Sequence, residues 1–142
     1  MLRGRRIAFD YGDVRIGVAI SDPDSILASP LTTLSSGDPK LFTEIAELMV
    51  EHEPVGIYVG NPMNLSGKSS NSAEKAAIFA EKLRAEFKVP VALIDERLST
   101  VSATNSMRQS GISAKDARGR IDMAAAVAIL EQALAIEKNQ NV

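Results

Sequence analysis

The stretch IAFDYGDVRIGVAISD, residues 7–22, decides the fold because it reads as two short strands joined by a tight turn. Residues of different size and polarity alternate on both sides of Gly12 and Asp13, a pattern typical of half-buried strands connected in a hairpin. We predict strands over residues 5–12 and 15–22. Asp10 interrupts the apolar pattern, since it places a carboxylate in the middle of the first strand.

The small residues of this hairpin are predicted to share one face with Asp10. They stand at alternate positions, Ala8 in the first strand and Gly17 and Ala19 in the second. If the two small faces coincide, Asp10 sits on a floor of glycine and alanine that a bulky ligand can approach closely. The alternative is a structural carboxylate at a strand edge or turn.

The rest of the chain reads as three further strands separated by helices. The predicted strands are residues 26–34, 55–60 and 91–94, and Pro30 places the first at an edge because proline lacks a ladder donor. The predicted helices begin at Asp38, cover about 72–87, begin at Ser99 or Thr100, and cover roughly 120–137. This order predicts an α/β fold over residues 1–142, with a five-stranded mixed sheet flanked by helices. Strands 1–3 should be antiparallel, and strands 4 and 5 parallel.

Composition limits the classes of function. The chain has 142 residues, a net charge of -2 and no cysteine, which excludes a disulfide framework, a thiolate metal site and a cysteine nucleophile. Its charge excludes a general basic field, so any contact with nucleic acid must be local. The N-terminus lacks a signal-peptide core, and the longest apolar run, residues 123–130, is shorter than the roughly 20 residues of a membrane span. We therefore expect a cytoplasmic protein without membrane contact.

Three carboxylates from distant parts of the sequence are candidates for one common site. Glu96 follows the last predicted strand, Asp122 opens the last predicted helix, and Asp10 lies in a neighbouring strand. The carboxyl ends of parallel strands form a shared ligand-binding edge, so these residues could converge there. Converging carboxylates repel one another unless a cation neutralises them, and oxygen-only ligands favour Mg²⁺ or Mn²⁺. Two such ions can activate water for phosphodiester hydrolysis.

Each acidic residue and the single histidine also have a structural interpretation. Asp122 could be a helix N-terminal residue favoured by the helix dipole. Asp95 alternates away from Glu96 if the strand continues, and Asp13 is assigned to the hairpin turn, where aspartate is favoured. His52 stands at a helix end, where a cation is favourable.

Four motifs in the same order resemble the YqgF family of pre-16S rRNA nucleases and Holliday junction resolvases. They are IAFDYGDVRIGVAISD, VGNPMNLSG, DERLST and IDMAAAVAIL, and they span nearly the whole chain. The resemblance implies an RNase H-like fold and a nuclease dependent on Mg²⁺ or Mn²⁺. It implies precursor rRNA or branched DNA as substrate and partners in ribosome assembly, and it leaves the oligomeric state open.

The same resemblance implies roles for individual residues. Asp10, Glu96 and Asp122 match the catalytic and metal-binding carboxylates, with Asp10 bridging the metals. Arg97 would contact phosphate or orient the carboxylates, although a simple ion pair is the alternative. Ser99 keeps the hydroxyl of the threonine usual at that position, and Thr100 beside it is a further expected substrate contact.

Two other segments are expected to face the substrate. SGKSS, residues 66–70, carries Lys68 after a strand and before a helix, but it lacks the first glycine of a P-loop. Arg118 and Arg120 belong to a locally basic segment and are candidate phosphate contacts. Mere linkage for the loop and simple solvation for the arginines are the alternatives.

Two rival functions belong to other classes. One is a module that binds nucleic acid without cutting it. The other is an actin-like ATPase, because DYGDVRIGVAISD also resembles the first phosphate loop of that superfamily, whose members clasp nucleotide between two such domains. RNA and branched DNA would be distinguished by contacts to the 2′-hydroxyl, and a symmetric junction resolvase would require a dimer.

Overall fold

Five strands form one mixed sheet in the computed structural model, which describes residues 3–61, 71–95 and 114–140. The strands are β1 (Arg6–Tyr11), β2 (Arg15–Ser21), β3 (Ala28–Ser35), β4 (Gly56–Asn61) and β5 (Val91–Asp95). Their spatial order is β3-β2-β1-β4-β5, with β1, β2 and β3 paired antiparallel and β1, β4 and β5 paired parallel. The predicted mixed sheet is therefore confirmed.

The described ranges contain three helices, which lie on both faces of the sheet. They are α1 (Leu41–His52), α2 (Asn71–Glu86) and α3 (Ala114–Gln140). Helices α1 and α2 share one hydrophobic cluster with the sheet, and α3 shares the other. The parallel strands require crossover connections, and α1 and α2 provide them between β1, β4 and β5.

The two faces of the sheet differ in the size of their side chains. Successive residues of a strand point to opposite faces, so the alternation in β1 sends Phe9 towards α1 and α2 and Ala8 towards α3. The first face is filled by large apolar residues, namely Ile7, Phe9, Ile16, Val18, Ile57 and Val59. The second face has small residues at its centre, and Ala8 and Ala19 meet Ala126 and Ala133 there.

The register of the β1–β2 hairpin confirms that the small faces coincide. Ala8 is paired with Ala19, and Asp10 is paired with Gly17. Residues directly opposite each other in an antiparallel pair lie on the same face. Asp10 therefore lies on the face that α3 covers.

Strand β3 is an edge strand, as Pro30 predicted. Pro30 is exposed, and the pairing of β2 with β3 shifts register between Val18 and Ala19, beside this proline. The shift leaves Leu31 as an additional residue in β3. A proline and an irregular register are both characteristic of sheet edges.

The predicted starts of two helices were wrong by several residues. Helix α1 begins at Leu41 rather than directly after Asp38, because the Asp38 carboxylate accepts the backbone N–H of Lys40 at 2.9 Å and closes a separate turn. Helix α3 begins at Ala114 instead of about residue 120. The other predicted elements within the described ranges are confirmed to within a few residues, and the predicted helix after Ser99 or Thr100 lies outside those ranges.

Helix α1 ends two residues before Pro54. His52 is its last residue, and Glu53 follows in the left-handed conformation with φ 48°. Nε2 of His52 lies 3.8 Å from the carboxylate of Glu51. This position agrees with the structural interpretation of the only histidine.

No helix in the described ranges is both long enough and apolar enough to cross a membrane.

Candidate active site

Helix α3 approaches the sheet closely at Gly17. A Cβ atom added to Gly17 would overlap the backbone carbonyl of Asp122 and would lie 3.0 Å from the backbone nitrogen of Met123. These are backbone atoms of a helix, so they cannot move aside as a flexible side chain can. The glycine floor predicted to receive a ligand therefore receives the backbone of α3, and that part of the prediction was wrong.

Two of the three predicted carboxylate residues lie next to this contact. Asp10 lies directly opposite Gly17, and side chains so placed have Cβ atoms about 4.5–5.5 Å apart. Its side chain therefore starts beside the point where Asp122 touches the sheet. Asp10 is partly buried, and the side chain of Asp122 is 23% exposed, so both carboxylates border on solvent.

Asp122 belongs to the stripe of α3 that faces the sheet. The residues of this stripe are three or four positions apart, as expected for one face of a helix, and they are Asp122, Ala126, Ile129, Ala133 and Glu137. The three apolar members are fully buried. Asp122 lies about two turns beyond Ala114, so it is an interior residue of the helix. The alternative of a first-turn residue held by the helix dipole was therefore wrong.

Arg15 contacts Asp122, although the sequence analysis did not single it out. Its Nε donates a hydrogen bond to Oδ2 of Asp122 at 2.7 Å, and the side chain of Arg15 is 39% exposed. Arg15 begins β2 two residues before Gly17, so the same alternation places both on the α3 face. The strand alternation in the sequence indicates on which face Arg15 lies. It does not indicate that Arg15 contacts Asp122.

The donor atoms of Asp10 and Asp122 suit a hard divalent cation. Both residues offer carboxylate oxygens, which Mg²⁺ and Mn²⁺ prefer. Among the described residues, no group of three or more Asp, Glu, His or Cys side chains surrounds a single point. The described part of the site thus offers two protein ligands, which fits a cation that keeps several waters.

The third predicted carboxylate, Glu96, lies outside the described residues, directly after β5. Ile94 belongs to the hydrophobic cluster under α3, so alternation places Asp95 on the other face of the sheet. Asp95 is therefore on the opposite side from Asp10. The preference for Glu96 over Asp95 stays a prediction.

Most of the predicted substrate contacts also lie outside the described residues. These are Lys68, Arg97, Ser99 and Thr100. Arg118 and Arg120 belong to the backbone of α3, but their side chains are outside the described part of the structure. Their predicted roles stay predictions.

Asp13, which was assigned to the hairpin turn, has a structural partner on α2. Nζ of Lys75 lies 2.8 Å from Oδ1 of Asp13, and this hydrogen bond raises the pKa of the Lys75 ammonium. The pair links the turn to α2, on the opposite side of the sheet from Asp122. This contact agrees with the assignment of Asp13 to the hairpin turn.

A second ion pair connects α3 to the sheet at the other end of the stripe. Nη2 of the buried Arg6 lies 3.2 Å from Oε1 of Glu137, and its Nη1 donates to the Ser25 hydroxyl at 2.9 Å and the Gly4 carbonyl at 2.6 Å. Burial and a hydrogen bond to Glu137 raise the pKa of Tyr58 well above 10.0. This end of the interface is a buried polar network.

Comparison with known proteins connects this geometry to a family of nucleases. Residues 4–136 match the sequence model of RuvX, described as a Holliday junction resolvase. A Streptomyces avermitilis protein is 46% identical over 140 residues, covering 97% of this chain and 90% of the relative. A Mycobacterium leprae protein is 50% identical over 131 residues, covering 91% and 71%. Both bear the name "Putative pre-16S rRNA nuclease".

Solved structures show the same fold at low sequence identity. The RuvC protein of T. thermophilus in complex with a Holliday junction substrate gives a TM-score of 0.55 at 18% identity, and the alignment covers 94% of this chain and 96% of that one. A second Thermus thermophilus RuvC structure gives 0.53 at 14% identity. These similarities support the RNase H-like fold class. Because the family model spans all but the ends of the sequence, and the relatives match over most of their own length, the chain belongs to the RuvX (YqgF) family.

Proposed function

We propose that this chain is a metal-dependent nuclease that hydrolyses phosphodiester bonds in precursor 16S rRNA, at its 5′ end. The observation that carries the proposal is that Gly17 is paired with Asp10 of β1 and is also contacted by the backbone of α3 at Asp122, a residue far from Asp10 in the sequence. The names of the relatives support the substrate. In this role the protein would act in ribosome assembly and would be located in the cytoplasm.

Two neighbouring carboxylates need a counter-charge, which is the electrostatic reason for a cation. Asp10 and Asp122 both lie beside the same glycine, and neighbouring negative charges attract a cation. Arg15 supplies one positive charge through its ion pair with Asp122. A divalent ion would neutralise both.

In this proposal Asp10, Asp122 and Glu96 would hold Mg²⁺ or Mn²⁺. A bound pair of such ions supplies an activated water and stabilises the leaving oxygen. The protein's own part is to fix the carboxylates: Asp10 on a central strand and Asp122 on a helix seated against that sheet. Rigid elements of this kind hold ligands more precisely than loops do.

Substrate contacts are proposed for residues on either side of the carboxylates in the sequence. Arg97, Ser99 and Thr100 follow Glu96, and Arg118 and Arg120 precede Asp122. Guanidinium and hydroxyl groups bind phosphate oxygens, and such contacts position a nucleic acid without reading its sequence. Lys68 would add a further contact from the loop after β4.

A second candidate function is cleavage of branched DNA. It is favoured by the family description and by the fold shared with a RuvC protein that was solved on a Holliday junction. The chemistry at the phosphate is the same for both substrates, so the carboxylates do not distinguish them. A resolvase acting symmetrically on two strands would require a dimer.

The test is a cleavage assay on precursor 16S rRNA, an unrelated RNA and a four-way DNA junction, each with Mg²⁺, with Mn²⁺ and with chelator. We expect metal-dependent cleavage of the precursor. Loss of an outer-shell partner costs about 10–100-fold, so Asp10→Asn and Asp122→Asn, which remove direct ligands, should lose more than about 100-fold.

Asp24→Asn is the matched control, because Asp24 is an exposed carboxylate paired with Arg3 far from the site. It should cleave like the natural sequence. Full activity in Asp10→Asn, with thermal unfolding showing an intact fold, would refute the proposed chemistry. Cleavage of the junction alone would favour the second candidate.

A further inference from the structure

We infer that Arg15 is a positioning residue of the metal site, which holds the Asp122 carboxylate in the orientation that binds the cation. The inference rests on the proposed function. It assigns a role to the Arg15–Asp122 ion pair. This pair joins the start of β2 to Asp122, the first residue of the stripe of α3 that faces the sheet.

The contact between the two side chains is directional and uses one oxygen only. Nε of Arg15 donates to Oδ2 of Asp122. Within the ranges that the structure describes, Arg15 is the one hydrogen-bond or ion-pair partner of this carboxylate. The second oxygen, Oδ1, is therefore the atom that this arrangement offers to a cation.

Both ends of the contact are attached to fixed backbone. Arg15 is paired with Ser35 in the sheet, and the backbone at Asp122 is seated on Gly17. The side chain of Asp122 is 23% exposed, so packing does not enclose its carboxylate on every side. The hydrogen bond from Arg15 restricts rotation of the Asp122 side chain before a metal binds. Metal binding therefore loses less side-chain entropy.

Arg15 can affect the cation in two opposite ways, and their relative size decides the outcome. Its positive charge repels a divalent ion, but the Arg15 side chain is 39% exposed and solvent screens that repulsion. Its hydrogen bond orients a ligand, and removal of such outer-shell partners typically weakens metal binding by about 10–100-fold. We therefore expect orientation to dominate.

The test is titration of the full chain with Mn²⁺, followed by calorimetry or by the electron paramagnetic resonance signal of free Mn²⁺. Arg15→Gln should bind Mn²⁺ at least about 10-fold more weakly than the natural sequence. Arg15→Lys retains a donor for Oδ2 and should bind more tightly than Arg15→Gln. Unchanged or tighter binding by Arg15→Gln would overturn the inference, since it would make Arg15 a bystander or a competitor of the cation.

The matched control is Arg3→Gln. Arg3 also donates through Nε to one carboxylate oxygen, Oδ1 of Asp24, at 2.9 Å, but both side chains are mostly exposed. This variant should bind Mn²⁺ normally, and thermal unfolding should show that all variants are folded at the titration temperature. A loss of affinity in Arg3→Gln equal to that in Arg15→Gln would count against a specific role for Arg15.

Asp10→Asn, titrated in parallel, separates this inference from the proposed function. If Asp10→Asn weakens Mn²⁺ binding and Arg15→Gln does not, the metal site stands and the role of Arg15 is refuted. If Asp10→Asn binds Mn²⁺ like the natural sequence, the metal site itself is refuted, and the role of Arg15 with it.

Discussion

Within the described residues, two arginine–carboxylate pairs connect helix α3 to the sheet, and they differ in burial and in the number of partners. Arg6 and Glu137 have side chains that are 3% and 22% exposed, whereas those of Arg15 and Asp122 are 39% and 23% exposed. The two carboxylates lie on the same stripe of α3, roughly 22 Å apart by the rise of a helix. The same chemical pair thus occurs once in the interior and once at the rim of one interface.

The number of partners separates a structural pair from one that is available for chemistry. Arg6 also donates to the Gly4 carbonyl and the Ser25 hydroxyl, so its guanidinium is engaged on several sides. Arg15 binds Asp122 through Nε alone, at a site that borders on solvent. A buried network of this kind holds the side chains in one conformation. A single hydrogen bond at the rim can orient a metal-binding carboxylate and leave its second oxygen available.

The largest effect on stability is expected from breaking the buried pair. Arg6→Gln removes a buried cation and leaves Glu137 without it, which typically costs about 3–5 kcal/mol of the free energy of unfolding. Urea denaturation measures the loss, and Arg3→Gln, from an exposed pair, is the control. A loss no larger than that of the control would contradict the distinction between the two pairs.

The next effect concerns the glycine beneath the outer pair. Gly17→Ala places a methyl group against the Asp122 carbonyl, so α3 must shift, at a cost of about 1–3 kcal/mol. The same shift should weaken Mn²⁺ binding, because it moves Asp122 relative to Asp10. Gly37→Ala is the matched control, since no atom lies within 4 Å of an added Cβ there. Normal stability and normal Mn²⁺ binding in Gly17→Ala would show that the close approach is unimportant.

A smaller effect on the free energy of unfolding is expected at alkaline pH, and it arises at the buried Arg6–Glu137 pair. Burial and the hydrogen bond to Glu137 raise the pKa of Tyr58 in the folded protein above its ordinary value of 10.0. The unfolded chain therefore loses this proton first, and the free energy of unfolding should fall as pH rises above 10.0. Tyr58→Phe should show a shallower decline in urea denaturation across that range. An identical pH dependence in the two proteins would contradict this assignment.

The smallest effect on stability is expected from the outer pair itself. Arg15 is more than a third exposed, and ion pairs of this kind contribute about 0–1 kcal/mol. Arg15→Gln should therefore unfold at nearly the same urea concentration as the natural sequence while losing affinity for Mn²⁺. A destabilisation as large as that of Arg6→Gln would mean that both pairs are structural.

The sequence was sufficient to predict the sheet because its hairpin has a clear alternation. The small residues around Asp10 fixed the face on which this carboxylate lies, and the register bears this out. Phe79 and Leu83 are four residues apart in the helix predicted over about 72–87, as one face of a helix requires, and both are buried. Both patterns are local, so they can be read without knowledge of tertiary contacts.

The missed features depend on contacts between distant residues. Arg15 and Asp122 are 107 positions apart, and the sequence around Arg15 does not indicate which residue it contacts. The start of α3 was missed because the segment AKDARGR is polar and contains Gly119, which lowers helix propensity. Gly17 was recognised as a point of close approach, but the approaching group was a helix backbone, which only the packing of α3 reveals.

The irregular strand β3 has a consequence for how copies of this protein can associate. A proline offers no backbone N–H, and a bulge bends the strand, so this border of the sheet is a poor template for a strand from another molecule. Growth of a continuous intermolecular sheet through β3 is thereby opposed. If junction cleavage requires paired subunits, their contact should be sought on a helical surface or at the opposite border, formed by β5.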